Sequence, residues 1–225
     1  MLPVIFSQGG VVAINKPAGV SVEGGARHTH LPEVWQMARH WYSDGSPAHR
    51  IDKFTSGVLL LSARTEVQRY LQRQWHDITE KLYLAVIIVP MWSERTVTAD
   101  VDGKWAQTQF TVLQRAGQFA LVRCQLMRSG RRHQIRQHLG RLGHPIVGDK
   151  MYGGLPIQDG RPGQYLHAWR MRVRLPDEKF QPGEWTTIQA KLPEDFLKFG
   201  FNVDEIDAGA TPLLITWIPP EDWQR

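Results

Sequence analysis

Cysteine is nearly absent from this chain. Among 225 residues only Cys124 carries a thiol, so an internal disulfide is impossible and no cysteine pair exists to hold zinc. A single thiol suits a reducing compartment, and within "LVRCQLM" it reads as a small core hydrophobe. No run of about 18 apolar residues occurs, so no membrane-spanning helix is expected. The opening "MLPVIFSQGG" has neither a basic start nor a long apolar segment, and no signal peptide is expected. Internal repeats and low-complexity tracts are missing. So are a Walker loop and a GxGxxG following a strand, the usual cradles for nucleotide cofactors. The histidines do not supply a metal site. His28 and His30 stand in "HTH", and His133 and His138 miss the i, i+4 spacing that brings two imidazoles together on a helix.

What is present is globular composition, 42% hydrophobic and 22% charged, which favours a folded core over disorder. The length suits one substantial core or one domain in two lobes. Charge is uneven. Lysine and arginine number 27 against 22 acids, a net of +5. Residues 201–225 hold Asp204, Glu205, Asp207, Glu221 and Asp222 against Arg225 alone, so the body of the chain is strongly basic. A basic body suggests a polyanionic partner, nucleic acid or a membrane surface.

The hydrophobic pattern predicts an α+β chain, with strands outnumbering helices and no strict βαβ alternation. "VVAIN", "GVLLLSA", "KLYLAVIIV" and "LHAWRMRVRLP" read as strands. "TQFTVLQRAGQFALVRCQLM" reads as a hairpin turning at Ala116-Gly117. "LPEVWQMARHW" has helical spacing. Thr65 and Gln68 form a capping box for a second helix, with Val67, Leu71 and Trp75 as its buried stripe. "HQIRQHLGRLG" reads as a third helix ended by Gly143, docked through Ile135, Leu139 and Leu142. Residues 201–225 read as an acidic extension, with one strand at "LLITW".

Three stretches concentrate chemistry. "HRIDKFTSGVLLLSA" sets His49, Arg50 and Asp52 before a small turn, Thr55-Ser56-Gly57, that leads into a buried strand. Such a turn holds side chains rigidly. "MRSGRRHQIRQHLGRLGHP" carries five arginines, Arg128 to Arg141, and no acid. Its Ser129-Gly130 precedes a helix start, where free N–H groups suit an anion. In "HAWRMRVR", Arg170, Arg172 and Arg174 alternate with Met171 and Val173, so three guanidiniums share one sheet face. Either a phosphate backbone covers them, or that face is solvated and paired with local acids.

Taken together, "INKPAGV", "HRIDKFTSGVLLLSA", "EKLYLAV", "RSGRRHQIRQHLGRLGHPIVGDKMYGG" and "LHA" resemble, in kind and order, the motifs of RluA-type pseudouridine synthases. The resemblance covers about residues 11–175. It implies the pseudouridine synthase fold: a mixed, mainly antiparallel central sheet flanked by helices, with a catalytic cleft. It places Asp52 at the catalytic aspartate, Tyr83 at the tyrosine that stacks on the flipped uracil, and Arg136 at the basic partner of the aspartate. Arg50 matches the residue that enters the RNA stack, and Ile135 the aliphatic wall of the base pocket. His49, Thr55, Ser56, Gly57, Arg131, His133 and Gln134 are the further substrate-binding candidates. Arg128, Arg132, Arg170, Arg172 and Arg174 are candidates for the RNA backbone. Arg132 departs from the family's usual small hydroxyl residue and adds charge beside the site.

The resemblance implies no metal and no cofactor. It implies a cytoplasmic, monomeric enzyme acting on structured RNA, ribosomal or transfer, with no membrane partner. The expected domains are a catalytic one over 1–200 and the extension over 201–225. The motifs begin close to Met1, leaving no room for the S4 RNA-binding module common in the family. RNA recognition is then expected from the catalytic domain. The competing readings are a catalytically silent RNA-binding protein on the same scaffold and an unrelated carboxylate hydrolase. An intact Asp52, Tyr83 and Arg136 set opposes the first. No motif offers the second carboxylate that the other would need.

Overall fold

The structure, a computed structural model, describes residues 2–22, 34–36, 44–127, 130–202, 204 and 206. The strands in chain order are β1 (Val4–Gln8), β2 (Val11–Lys16), β3 (Ser46–Pro47), β4 (Ser56–Ser62), β5 (Thr79–Ile88), β6 (Glu94–Thr98), β7 (Gln107–Ala116), β8 (Phe119–Leu126), β9 (Leu166–Pro176) and β10 (Pro182–Gln189). Two α-helices are described over several turns, α1 (Thr65–Ile78) and α2 (Gln134–Arg141), followed by a 3-10 helix at Glu194–Phe199. The ten strands form one sheet in the order β1-β2-β4-β9-β5-β8-β7-β6, with β10 on β9 and β3 on β4. Among the described strands only β4 and β9 pair in parallel. A mixed, mainly antiparallel sheet with few helices is the α+β architecture expected.

Why these segments are strands follows from burial. Every residue of β4 is buried, because both sheet faces are covered there. Val58 and Leu60 join the cluster under α1, whereas Leu59 and Leu61 join the larger cluster on the other face. α1 docks through Val67, Tyr70, Leu71 and Ile78. The β4–β9 pairing needs Gly57. Its φ is +108°, and a Cβ there would lie 2.1 Å from the Ala168 carbonyl oxygen, so any side chain would force the strands apart.

Some local expectations are corrected. Arg64, extended at φ −142° and ψ 150°, is the N-cap of α1, with no side-chain cap bond. Thr65 is therefore already helical and one residue too late to cap. Gln68 instead accepts from Ser62 Oγ at 2.7 Å and donates to the Pro47 carbonyl at 3.0 Å, tying the helix to β3 and β4. Trp75 is half-buried rather than part of the buried stripe. The hairpin and the positive φ of Gly143 agree with the sequence reading, while the turn falls at Gly117 and Gln118 and several strand ends shift by one or two residues. Cys124 is buried in the core, as read. Only residues 34–36 of the expected helix at 31–41 are described, and they are helical. The "LLITW" strand, His28, His30, Arg128 and Ser129 lie outside the described residues. Of the expected extension, Phe201 and Ile206 pack into the core.

Candidate active site

A cleft of about 490 Å³ opens on the α1 side of β5. The turn before β4 supplies Ala48 to Asp52 and Thr55; α1 supplies Gln72, Trp75 and His76; β5 supplies Lys81 and Tyr83. The opposite wall is Gly130 to Arg136, closed by Leu126 and Leu166. The sheet order explains why segments distant in sequence meet. β5 lies between β9 and β8, and β9 continues to the start of β4, just after the Asp52 turn.

At the centre stands Asp52, its side chain 26% exposed. Arg136 Nη1 donates to Asp52 Oδ2 at 3.0 Å, and His133 Nε2 lies 3.6 Å from Oδ1. Arg136 itself is fixed from behind. Its Nε and Nη2 donate to the two oxygens of Asp149 at 2.7 and 2.9 Å, a two-pronged pair in which Asp149 is only 1% exposed. Asp149 also accepts from the N–H groups of Met151 and Tyr152. Tyr152 carries the Arg136 guanidinium over its ring at 5.0 Å and meets His133 Nδ1 through its hydroxyl at 3.1 Å. The turn around Asp149 closes tightly, since a Cβ on Gly154 would lie 1.9 Å from the Ile146 carbonyl oxygen. Burial acts to lower the Arg136 pKa. The hydrogen bonds and charge of Asp149, with Asp52 adding to them, outweigh it and hold the guanidinium above its ordinary value. His133 is shifted down, chiefly by burial, despite Asp52.

Lys16 supports the turn from below. It is fully buried, and its Nζ donates to the carbonyls of Pro17, Val20 and Lys53 at 2.8–3.0 Å. Burial pulls its pKa to about 7, against the opposing charge of Asp52. The Thr55 N–H donates to the Asp52 carbonyl and completes the turn.

Several candidates come together as expected. Asp52, Arg50, His49, Thr55, Tyr83, Arg131, Arg132, His133, Gln134, Ile135 and Arg136 all line the cleft. Their tasks differ. Tyr83 is 8% exposed, and burial pushes its phenol well above the ordinary range. His49 is held neutral, its pKa lowered by burial to about 3, and its Nε2 accepts from the Leu60 N–H at 3.0 Å. Gln134 is a strut: it accepts from Arg131 N and donates to the Gln107 carbonyl and to Thr108 Oγ1. Ser56 and Gly57 do not line the cleft. Ser56 Oγ meets His167 Nδ1 at 2.9 Å, and Thr55 Oγ1 accepts from Gln164 Nε2 at 3.3 Å. The small turn thus builds the β4–β9 junction.

Arg170, Arg172 and Arg174 are not brought to the cleft. Lys81, which lines it, pairs with Met171, and paired residues share a face, so the three arginines occupy the other face. There Arg172 Nη1 donates to Glu80 at 2.9 Å, Arg170 to Gln189 Oε1, and Arg172 and Arg174 lie over the Trp185 ring. The helix expected to begin near His133 starts at Gln134, with His133, left-handed at φ 56°, at the N-cap position and no side-chain cap bond. The sequence reading missed Asp149, Lys16, Lys81 and the α1 wall of Gln72, Trp75 and His76. Asp149 had a signal, an acid between glycines in "GDKMYGG". Among the described residues no three His, Cys, Asp or Glu side chains gather to hold a metal ion. No helix among the described residues is long and apolar enough to cross a membrane.

Comparison with known proteins places this geometry in context. A family profile described as RNA pseudouridylate synthase matches residues 10–140. The "Ribosomal large subunit pseudouridine synthase D" of Nitrosomonas europaea is 30% identical over 226 residues, covering 86% of this chain and 63% of that protein. The "Uncharacterized RNA pseudouridine synthase YlyB" of Bacillus subtilis is 33% identical over 219 residues, covering 86% of this chain and 70% of that protein. The solved structure of human RNA Pseudouridylate Synthase Domain Containing 1 superposes with a TM-score of 0.72 at 21% identity, covering 94% of this chain and 96% of that one; it supports the fold. The chain spans 63–66% of the length of the first curated relatives it matches.

Proposed function

We propose, since this chain belongs to the RNA pseudouridylate synthase family, that it isomerises uridine to pseudouridine in structured RNA. The reaction breaks the N1–C1′ bond of uridine and makes a C5–C1′ bond. One proton leaves C5 and one arrives at N1, so composition is unchanged and neither oxidant nor group donor is required. The base must turn over between the two bonds. That motion cannot occur within a stack, so the nucleotide must be extruded, at a cost of a few kcal/mol.

The residues are assigned accordingly. Asp52 is the nucleophile, joined covalently to the nucleotide during the exchange and released unchanged. Arg136 positions it, and Asp149 positions Arg136. Tyr83 stacks on the extruded uracil, and Ile135 lines the other side. Arg50 fills the gap left in the RNA, where its planar cation can stack and meet phosphate. Arg131 and Arg132 face the backbone at the rim. His133 stands beside the carboxylate.

The observation that carries this reading is Asp52 itself. It is a partly exposed carboxylate, fixed at 3.0 Å by Arg136, in a cleft that also presents Tyr83 and Ile135. An RNA substrate and a lone thiol support the cytoplasm. Residues 1–200 are assigned as the catalytic domain and 201–225 as an acidic extension from it. Ribosomal large-subunit RNA is the first substrate class to test and transfer RNA the second. Purified protein is incubated with each transcript and pseudouridine is mapped by nucleotide. Discrete new sites are expected. No new pseudouridine in either RNA would contradict the proposal.

A further inference from the structure

Lys81 stands in the cleft with no part in the chemistry above. β5 sets it two residues before Tyr83, so both side chains leave the same strand face, about 7 Å apart. Lys81 is only 7% exposed, and its Nζ lies 5.3 Å over the Trp75 ring. The absent side chain of Gly130 leaves it room: a Cβ there would come within 3.3 Å of Nζ. Among the described residues no carboxylate pairs with Lys81. Its neighbour Glu80 is taken by Arg172 on the other sheet face, and Asp52 by Arg136 and His133. Desolvation brings the ammonium down to about 8.

A largely buried ammonium without an anion is costly. A same-length apolar residue would pack on Trp75 without that cost. The surround also has a sign. Lining the same cleft are Arg50 from the turn and Arg131, Arg132 and Arg136 from the opposite wall, with His49 held neutral; Asp52 is the only acid among the described lining residues. Arg131 and Arg132, exposed on that wall, add to Lys81 a positive field that favours an anion entering from outside the protein. Uracil stacked on Tyr83 would lie one pleat away, so what reaches Lys81 is the sugar–phosphate chain attached to it.

We propose that Lys81 is a phosphate-binding residue, receiving the backbone phosphate next to the extruded uridine. The inference rests on the RNA reading above. Trp75 holds the ammonium from one side and leaves its other side to the ligand.

The test is binding of a fluorescently labelled single-stranded oligouridylate across a salt series, with wild type, Lys81→Met and Lys81→Arg, alongside melting temperatures. Lys81→Met is expected to bind several-fold more weakly, with a log–log salt slope shallower by about 0.7, the value for one phosphate contact on a single strand. Lys81→Arg should keep the slope. Lys81→Met should melt no lower than wild type, because a buried charge has been removed. Lys81→Gln repeats the test if the methionine variant does not fold. Unchanged affinity and slope would overturn the assignment. A weaker affinity at unchanged slope would also overturn it, by placing the amine on base or sugar. The same series is run with a uridine-containing stem-loop RNA, and wild type that binds neither RNA would instead contradict the RNA reading itself.

Discussion

Replacing Arg136 by methionine separates the electrostatics of the cleft from its shape. Arg136, with 8% of its side chain exposed, lies between Asp149 at 1% and Asp52 at 26%. Methionine keeps an apolar stem of similar length but strands both carboxylates. Asp52 reaches solvent and can hydrate. Asp149 keeps only the N–H groups of Met151 and Tyr152, at 3.2 and 3.4 Å. Stranding one partner of a buried ion pair costs about 3–5 kcal/mol. With roughly 2–4 °C per kcal/mol for a domain of this size, the melting temperature should fall by about 6–20 °C. The loss has a definite sign with pH. A carboxyl without its cation, kept from water, titrates higher in the folded than in the unfolded chain. Above the unfolded value of about 4 the folded form then binds more protons, so the variant gains stability as pH falls from about 7 toward about 5. Adding Asp149→Asn removes the stranded charge and should recover more than half of the loss. Thermal unfolding followed by circular dichroism, for both variants across that pH range, supplies the comparison. A fall below about 2 °C, or a double variant no more stable than the single, refutes the buried-charge reasoning.

Lys16, brought by burial to about 7, and Lys81, brought to about 8, both titrate below the unfolded lysine value of 10.5. The unfolded chain therefore binds more protons above neutrality, and these two groups make unfolding harder as pH rises from about 7 to about 10. Urea midpoints over that range should rise less steeply in Lys81→Met, and an identical rise would contradict the assigned cause. Gly57→Ala should cost roughly 2–6 kcal/mol, because its Cβ meets Ala168 backbone at a positive φ; an unchanged melting temperature would mean the β4–β9 junction is not as tight as described. Arg50→Ala should lose much single-turnover activity on a uridine in a stacked stem-loop and less on an unpaired one, with partial rescue by lysine. Equal losses with full rescue by lysine would make Arg50 a charge partner only.

Much of the sheet was legible because buried strands announce themselves. "GVLLLSA" and "KLYLAVIIV" have no polar alternation, and β4 and most of β5 are indeed buried on both faces. The face of "RMRVR" was legible as well, since period two is fixed by the backbone. What lay beyond the sequence was which face borders the cleft. That depends on the β5–β9 register, which sets Lys81 against Met171. The same limit hid the cap of α1, where Arg64 rather than Thr65 takes the extended conformation. Asp52 and Arg136, 84 residues apart, were paired through family resemblance rather than from spacing. Asp149 and Lys16 lie within motifs that carry the resemblance, but the resemblance gave them no task. Their tasks, holding a guanidinium and three carbonyls, become visible only when the loops are in place.

The central claim is that Asp52 performs the isomerisation. Asp52→Asn keeps the side chain's shape and removes its nucleophilic power, while phosphate contacts at the rim remain. One RNA on which wild type forms pseudouridine is used for both readouts, single-turnover pseudouridine formation and equilibrium binding. The expected result is no detectable isomerisation by Asp52→Asn, with RNA affinity close to that of wild type. Substantial turnover by that variant would remove Asp52 from the nucleophile's role and contradict the account.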